Sequence, residues 1–143
     1  MSVGDRDPLH EGKAGSTLLI CSRCNWTGSE AEHAGPRSGK ALLDLVTGLA
    51  DGRTKVQAVA CLSGCKRACA IGVVAPGKVT YLFGDLPPTL VAATEIVAFC
   101  RQHADARDGW VRRAHRPALL REGILARLPP QEWAADGEIG WPS

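Results

Sequence analysis

Five of the six cysteines fall in two clusters: Cys21 and Cys24 in CSRC, then Cys61, Cys65 and Cys69 in CLSGCKRAC. Hydrophobic packing has no need of thiols at such spacing, whereas metal ligation does. A Cys-x-x-Cys turn puts two thiolates within reach of one ion, and a second pair completes four sulfurs around a tetrahedral Zn or an iron-sulfur cluster. Cys21, Cys24, Cys61 and Cys65 are therefore the candidate ligands. Cys69 is a fifth thiol whose role stays open between ligand, redox neighbour and buried core residue. A thioredoxin-type dithiol at CSRC is a third chemistry, but it needs a helix N-terminus to stabilise the thiolate. The next helix starts near Gly39, too far along the chain for its dipole to be expected at the pair, so this reading ranks last.

Composition narrows the setting. A chain of 143 residues, 45% hydrophobic, can fold as one domain without disulfide staples. Mean hydropathy of −0.06 is ordinary for a soluble protein. A net charge of +2 gives no general attraction to nucleic acid or membrane, so neither is an expected partner. The opening MSVGDRDPLHEGKAG is polar and charged, and Leu18 to Ile20 is too short for a signal or a membrane span. A cytoplasmic location is expected, and a reducing cytosol makes the clusters metal-binding or redox-active rather than disulfide-forming.

The elements that must position these thiols can be read in order. Residues 1–15 read as a flexible leader. Ser16 to Cys21 is a short apolar run suited to a buried strand that ends on the first cysteine. Asn25 to Arg37, with Gly28, Gly35 and Pro36, reads as a loop closing over the site. Leu42, Leu45, Val46 and Leu49 lie at i, i+3, i+4 and i+7, which predicts a helix over Lys40 to Ala50 with Ser38 as its N-cap and Gly52 as its stop. Lys55 to Ala60 is a second strand running into Cys61. Strand, helix, strand implies a parallel pair, so both cysteine clusters emerge at the same carboxyl edge of the sheet.

Ala70 to Ala75 and Val79 to Phe83 flank Pro76-Gly77-Lys78, which predicts an antiparallel hairpin. Leu90 to His103 returns to helical spacing, with Leu90, Ala93, Val97 and Cys100 on one stripe. The expected fold is α/β, a βαβ unit followed by ββα, with a four-stranded mixed sheet and two main helices over residues 16–106. Residues 107–143 form an arm rich in Arg and Trp, with a short helix predicted near Ala118 to Arg127, ended by Pro129-Pro130.

The run from Cys61 to His103, CLSGCKRACAIGVVAPGKVTYLFGDLPPTLVAATEIVAFCRQH, resembles the second half of the thioredoxin-like 2Fe-2S ferredoxins: a Cys-Leu-x-x-Cys loop, a hairpin and a terminal helix. The chain is still more similar to a family of small, predicted metal-binding bacterial proteins of unknown function in the thioredoxin-like group. That resemblance takes in both clusters and RPALLREGILARLPP, over roughly residues 16 to 130. It implies a thioredoxin-like fold, with Cys61 and Cys65 as cluster ligands and Cys21 as the first ligand. The ferredoxins usually separate their first two ligands by more than two residues, so Cys24 departs from their pattern. Cys69 falls where they tend to have proline.

The resemblance turns the choice of metal toward a 2Fe-2S cluster and single-electron transfer, with Zn or another divalent ion on the same thiolates as the alternative. Neither a Ser-His-Asp set, a Gly-rich phosphate loop nor a carboxylate pair argues for catalysis, so an electron carrier or metal-binding protein is expected rather than an enzyme. A redox partner protein is expected to dock near Lys66 and Arg67, whose positive charge would attract acidic surfaces. Oligomeric state is open, a homodimer being one option. Cys100 reads as core, His33 as a solvated loop residue, and His10, His103 and His115 as lacking ligand geometry. The arginines of the arm read as stems covering the domain, with a partner surface or phosphate as the other use.

Overall fold

A computed structural model describes residues 15–25, 38–63, 65–133 and 137–141, with the backbone alone at Cys65. The leader, nearly all of the loop before the first helix, His10 and His33 lie outside the described residues. The expected elements form in sequence: β1 (Ser16–Cys21), α1 (Ser38–Leu49), β2 (Thr54–Val59), β3 (Ile71–Val74), β4 (Thr80–Phe83) and α2 (Leu90–Asp105). Helix α1 begins at Ser38 itself rather than after it. β1 pairs parallel with β2 and antiparallel with β3, and β3 pairs antiparallel with β4.

The arm departs from expectation. Its helix, α3, spans only Ala118–Glu122, and Ile124–Leu128 is instead a strand, β5, antiparallel to β4. The sheet therefore has five strands in the order β2-β1-β3-β4-β5. Gly123 ends the helix, and Gly84 donates to its carbonyl at 2.8 Å, which turns the chain into the new strand.

One face of the sheet carries the core. Leu18, Ile20, Val73, Tyr81 and Phe83 are buried against Leu42 and Val46 of α1 and Ile96, Phe99 and Cys100 of α2. The Phe99 ring meets Tyr81 and Phe83 edge-on, each at 5.0 Å between centroids. Leu49 and Leu90, expected on the buried stripes, are exposed because each sits at a helix end. Thr89 caps α2 by accepting from the Ala92 amide at 3.2 Å. Lys78 closes its other end, donating to the His103 and Ala104 carbonyls. No helix among the described residues is long and apolar enough to cross a membrane.

His103 is wholly buried, with Nε2 2.7 Å from the Val79 carbonyl and Nδ1 2.6 Å from the Ser16 hydroxyl. A carbonyl only accepts, so Nε2 carries the proton and the hydroxyl donates to Nδ1 in a neutral ring. Burial lowers the His103 pKa despite the Val79 hydrogen bond, and the Lys78 charge adds to the lowering. The folded state thus binds its proton only below the ordinary value of about 6.5, while the unfolded chain binds it at that value. Stability is expected to be fully present above that pH and to fall as pH drops through 6.5 toward the depressed value. Urea midpoints measured between neutral and mildly acid pH check this; a flat profile in wild type contradicts it.

Candidate metal centre

The register of the central strand brings the cysteines together. Cys21 is the last residue of β1, opposite Val59, and the Ser22 amide continues the pairing onto the Val59 carbonyl at 2.8 Å. The chain leaving β2 therefore passes beside Cys21: its sulfur lies 3.8 Å from the Ala60 carbonyl, and the Leu62 amide donates to it. On the opposite side, the Cys21 amide donates to the Ala70 carbonyl at 3.2 Å, which places Cys69 at the same edge. Cys69 and Leu86 exchange backbone hydrogen bonds at 3.0 and 3.4 Å, fixing the turn that carries Cys69.

Cys21, Cys24 and Cys69 are buried, at 0, 1 and 0% exposure, whereas Cys61 is exposed. All four are thiols rather than disulfides. The Cys61 sulfur accepts from the Ser63 amide at 3.2 Å, in a turn where Ser63 adopts a left-handed φ of 59°. Cys65 opens a single 3-10 turn, Cys65–Arg67, and its side chain lies outside the described residues. Among the described residues no three His, Cys, Asp or Glu side chains form a ready-made metal cage.

The thiols are electrostatically unlike one another. Burial opposes ionisation of Cys21, but hydrogen bonds from the Cys24 thiol and from the Leu62, Arg23 and Cys24 amides outweigh it and hold Cys21 below the ordinary thiol range. Burial pushes Cys69 up to about 12, with the neighbouring Cys24 and Cys21 charges adding to the rise. Cys21 is thus the first thiolate to form and Cys69 the last. Cys100, in the core of α2, is likewise pushed up to about 12 by burial, with Asp51 adding. The donor set fits a soft metal or an iron-sulfur cluster, since thiolates favour both and bound cations deprotonate thiols outright.

Two relationships were invisible in the linear spacing. The start of α1 is remote from Cys24 along the chain yet lies against it: Gly39 donates to the Cys24 carbonyl at 2.9 Å, and a Cβ on Gly39 would stand 2.1 Å from the Cys21 carbonyl oxygen. The argument against a helix N-terminus at CSRC from chain distance therefore fails, although this amide is directed to a carbonyl and not to a sulfur. The second is Cys69, which the β1–β3 pairing brings to the first pair. Arg67, expected to face a partner, grips Asp85 through Nε at 2.9 and 2.8 Å and through Nη2. Lys66 is exposed.

A parallel β1–α1–β2 unit joined to an antiparallel β3–β4 hairpin and α2 defines a thioredoxin-like α/β protein. The chain belongs to the family described as Protein of unknown function (DUF1636), whose model matches residues 18–130. No curated protein matches the sequence. Among solved structures, a thioredoxin-like [2Fe-2S] ferredoxin from Aquifex aeolicus is similar over 82% of this chain and 97% of its own, at 12% identity and a TM-score of 0.49.

Two glycines of α1 should respond oppositely to alanine. G39A forces a methyl group into backbone and is expected to cost about 1–3 kcal/mol. G48A meets nothing within 4 Å and is expected to stabilise by about 0.5–1 kcal/mol. Urea denaturation of both variants checks the contact between α1 and the cysteine loop.

Proposed function

We propose that this protein is a small ferredoxin-like electron carrier that holds a 2Fe-2S cluster on Cys21, Cys24, Cys61 and Cys65. The observation that carries the reading is the contact of the two cysteine loops, where the Leu62 amide from the second loop donates to the Cys21 sulfur of the first. A cluster held there would supply one-electron transfer with little rearrangement of the protein.

The chain's own groups suit that task. Leu62, Arg23 and Cys24 direct backbone amides at the Cys21 sulfur, and Ser63 directs one at the Cys61 sulfur. Such N–H donors stabilise negative charge on sulfur and set its potential. Burial of Cys21 and Cys24 excludes water from one side of the site, while exposed Cys61 and Lys66 leave the other side open to a partner protein. The Cys-Leu-x-x-Cys loop, hairpin and helix of residues 61 to 103 are the sequence features that favour a cluster over a single ion.

The burial of a third thiol, Cys69, beside Cys21 and Cys24 favours a second reading, a Zn or other divalent ion in a closed thiolate site with a structural or delivery role. Protein isolated and reconstituted without oxygen separates the two. The cluster reading expects visible charge-transfer absorption with about two irons and two sulfides per chain. Colourless protein with one Zn and no sulfide sinks it. Serine at Cys21, Cys24, Cys61 or Cys65 is expected to abolish cluster content, with C69S retaining it; retention in C24S and loss in C69S would reassign the fourth ligand.

A further inference from the structure

The arginines of the C-terminal region build a second site. Arg116 follows a 3-10 turn, Arg113–His115, and is 4% exposed, its guanidinium carbon 6.0 Å from the centroid of the Tyr81 ring. Its Nε and Nη1 have no hydrogen-bond partner among the described residues. A buried cation with unused donors is costly, so such groups are normally paired. Arg53, Arg67, Arg101 and Arg113 do pair, with Asp105, Asp85, Asp51 and Glu122.

Arg127 stands beside it on β5. Its guanidinium carbon lies 4.5 Å from the Trp110 ring centroid and 5.3 Å from that of Trp141, with no carboxylate partner among the described residues. Stacking on indole faces leaves the in-plane N–H donors available. Burial, with the charges of Arg127 and Arg113 adding to it, pushes the Arg116 guanidinium below its usual range, which shows how closely these cations converge. Both arginines line a cavity of about 590 Å³, with Ile124, Ala126 and Trp141 supplying apolar wall. That volume is in the range of small-molecule sites.

We propose that this cavity binds a small phosphate monoester, the phosphate held between Arg116 and Arg127 and the organic body lying against Ile124, Ala126 and Trp141. Charge selects this class: Arg113 is neutralised by Glu122, leaving two uncompensated cations, and a phosphate monoester carries nearly two negative charges at neutral pH. Guanidinium groups also match phosphate oxygens in geometry. None of these residues belongs to the cysteine centre, so the site stands whether or not a cluster is bound there.

Titration of the full chain with phenyl phosphate, followed by tryptophan emission and calorimetry, tests the proposal. Saturable binding is expected from phenyl phosphate, weaker binding from inorganic phosphate and none from phenol. R116M and R127M should each weaken phenyl phosphate at least about tenfold, with R112M at an exposed position as the unchanged control. Without ligand, R116M should melt no lower than wild type, since it removes an uncompensated buried charge and keeps a similar stem. Unsaturable titration of wild type, equal affinity in both variants, or phenol binding as well as phenyl phosphate overturns the proposal. R127M decides the matter if R116M fails to fold.

Discussion

The hydrogen bonding of β1 on both its edges is the constraint from which the rest of the molecule follows. As an inner strand it accepts β2 in parallel and β3 in antiparallel register, and both partnerships converge at Cys21. A parallel neighbour brings the end of its strand to that point, whereas an antiparallel neighbour brings its beginning. The segment after β2 and the segment before β3 are the two ends of one chemically loaded loop, residues 60 to 70. The sheet thus folds that loop around the end of β1 without asking any side chain to cross the core.

The surroundings make this edge rigid on one side. Gly39 brings α1 within contact of the Cys21 carbonyl, and the Cys69–Leu86 backbone pair ties the loop to the segment leading into α2. Asp85, at a left-handed φ of 58°, donates its amide to the Arg67 carbonyl at 2.7 Å while its carboxylate holds the Arg67 side chain. The loop is therefore clamped at both its charged and its apolar residues. Farther along β4, Tyr81 ties down the C-terminal region, its hydroxyl accepting from the Val111 amide at 3.0 Å.

Much of the sheet was legible because hydrophobic period and turn chemistry agree there. Leu18 and Ile20 alternate with half-buried neighbours, Leu42 and Val46 share a helical face, and Pro76-Gly77 turns a hairpin with Gly77 at φ 70°. The stretch Ala118 to Leu128 misled because its leucines continue a helical spacing across Gly123; the glycine was the stop signal, and pairing with β4 rather than local propensity decided what followed. For the site, linear spacing conveyed the thiols and the edge they share. It could not convey that Cys69 is buried beside Cys21, or that Gly39 touches the loop, because both depend on long-range register. The burial of Arg116 is of the same kind, since its neighbours are set by Tyr81 two strands from the chain's own position.

The placement of β5 also bears on synthesis of the protein. It covers the outer edge of β4, while the opposite edge belongs to β2, where exposed Lys55 discourages pairing with other chains. During translation β1 to β4 and α2 leave the ribosome before Ile124 to Leu128 exist, so the nascent sheet presents Thr80 to Phe83 as an open template until the last part of the chain emerges. Premature termination in that interval would release a cysteine-bearing domain with an adhesive edge, a substrate for chaperones and proteases rather than a smaller working protein.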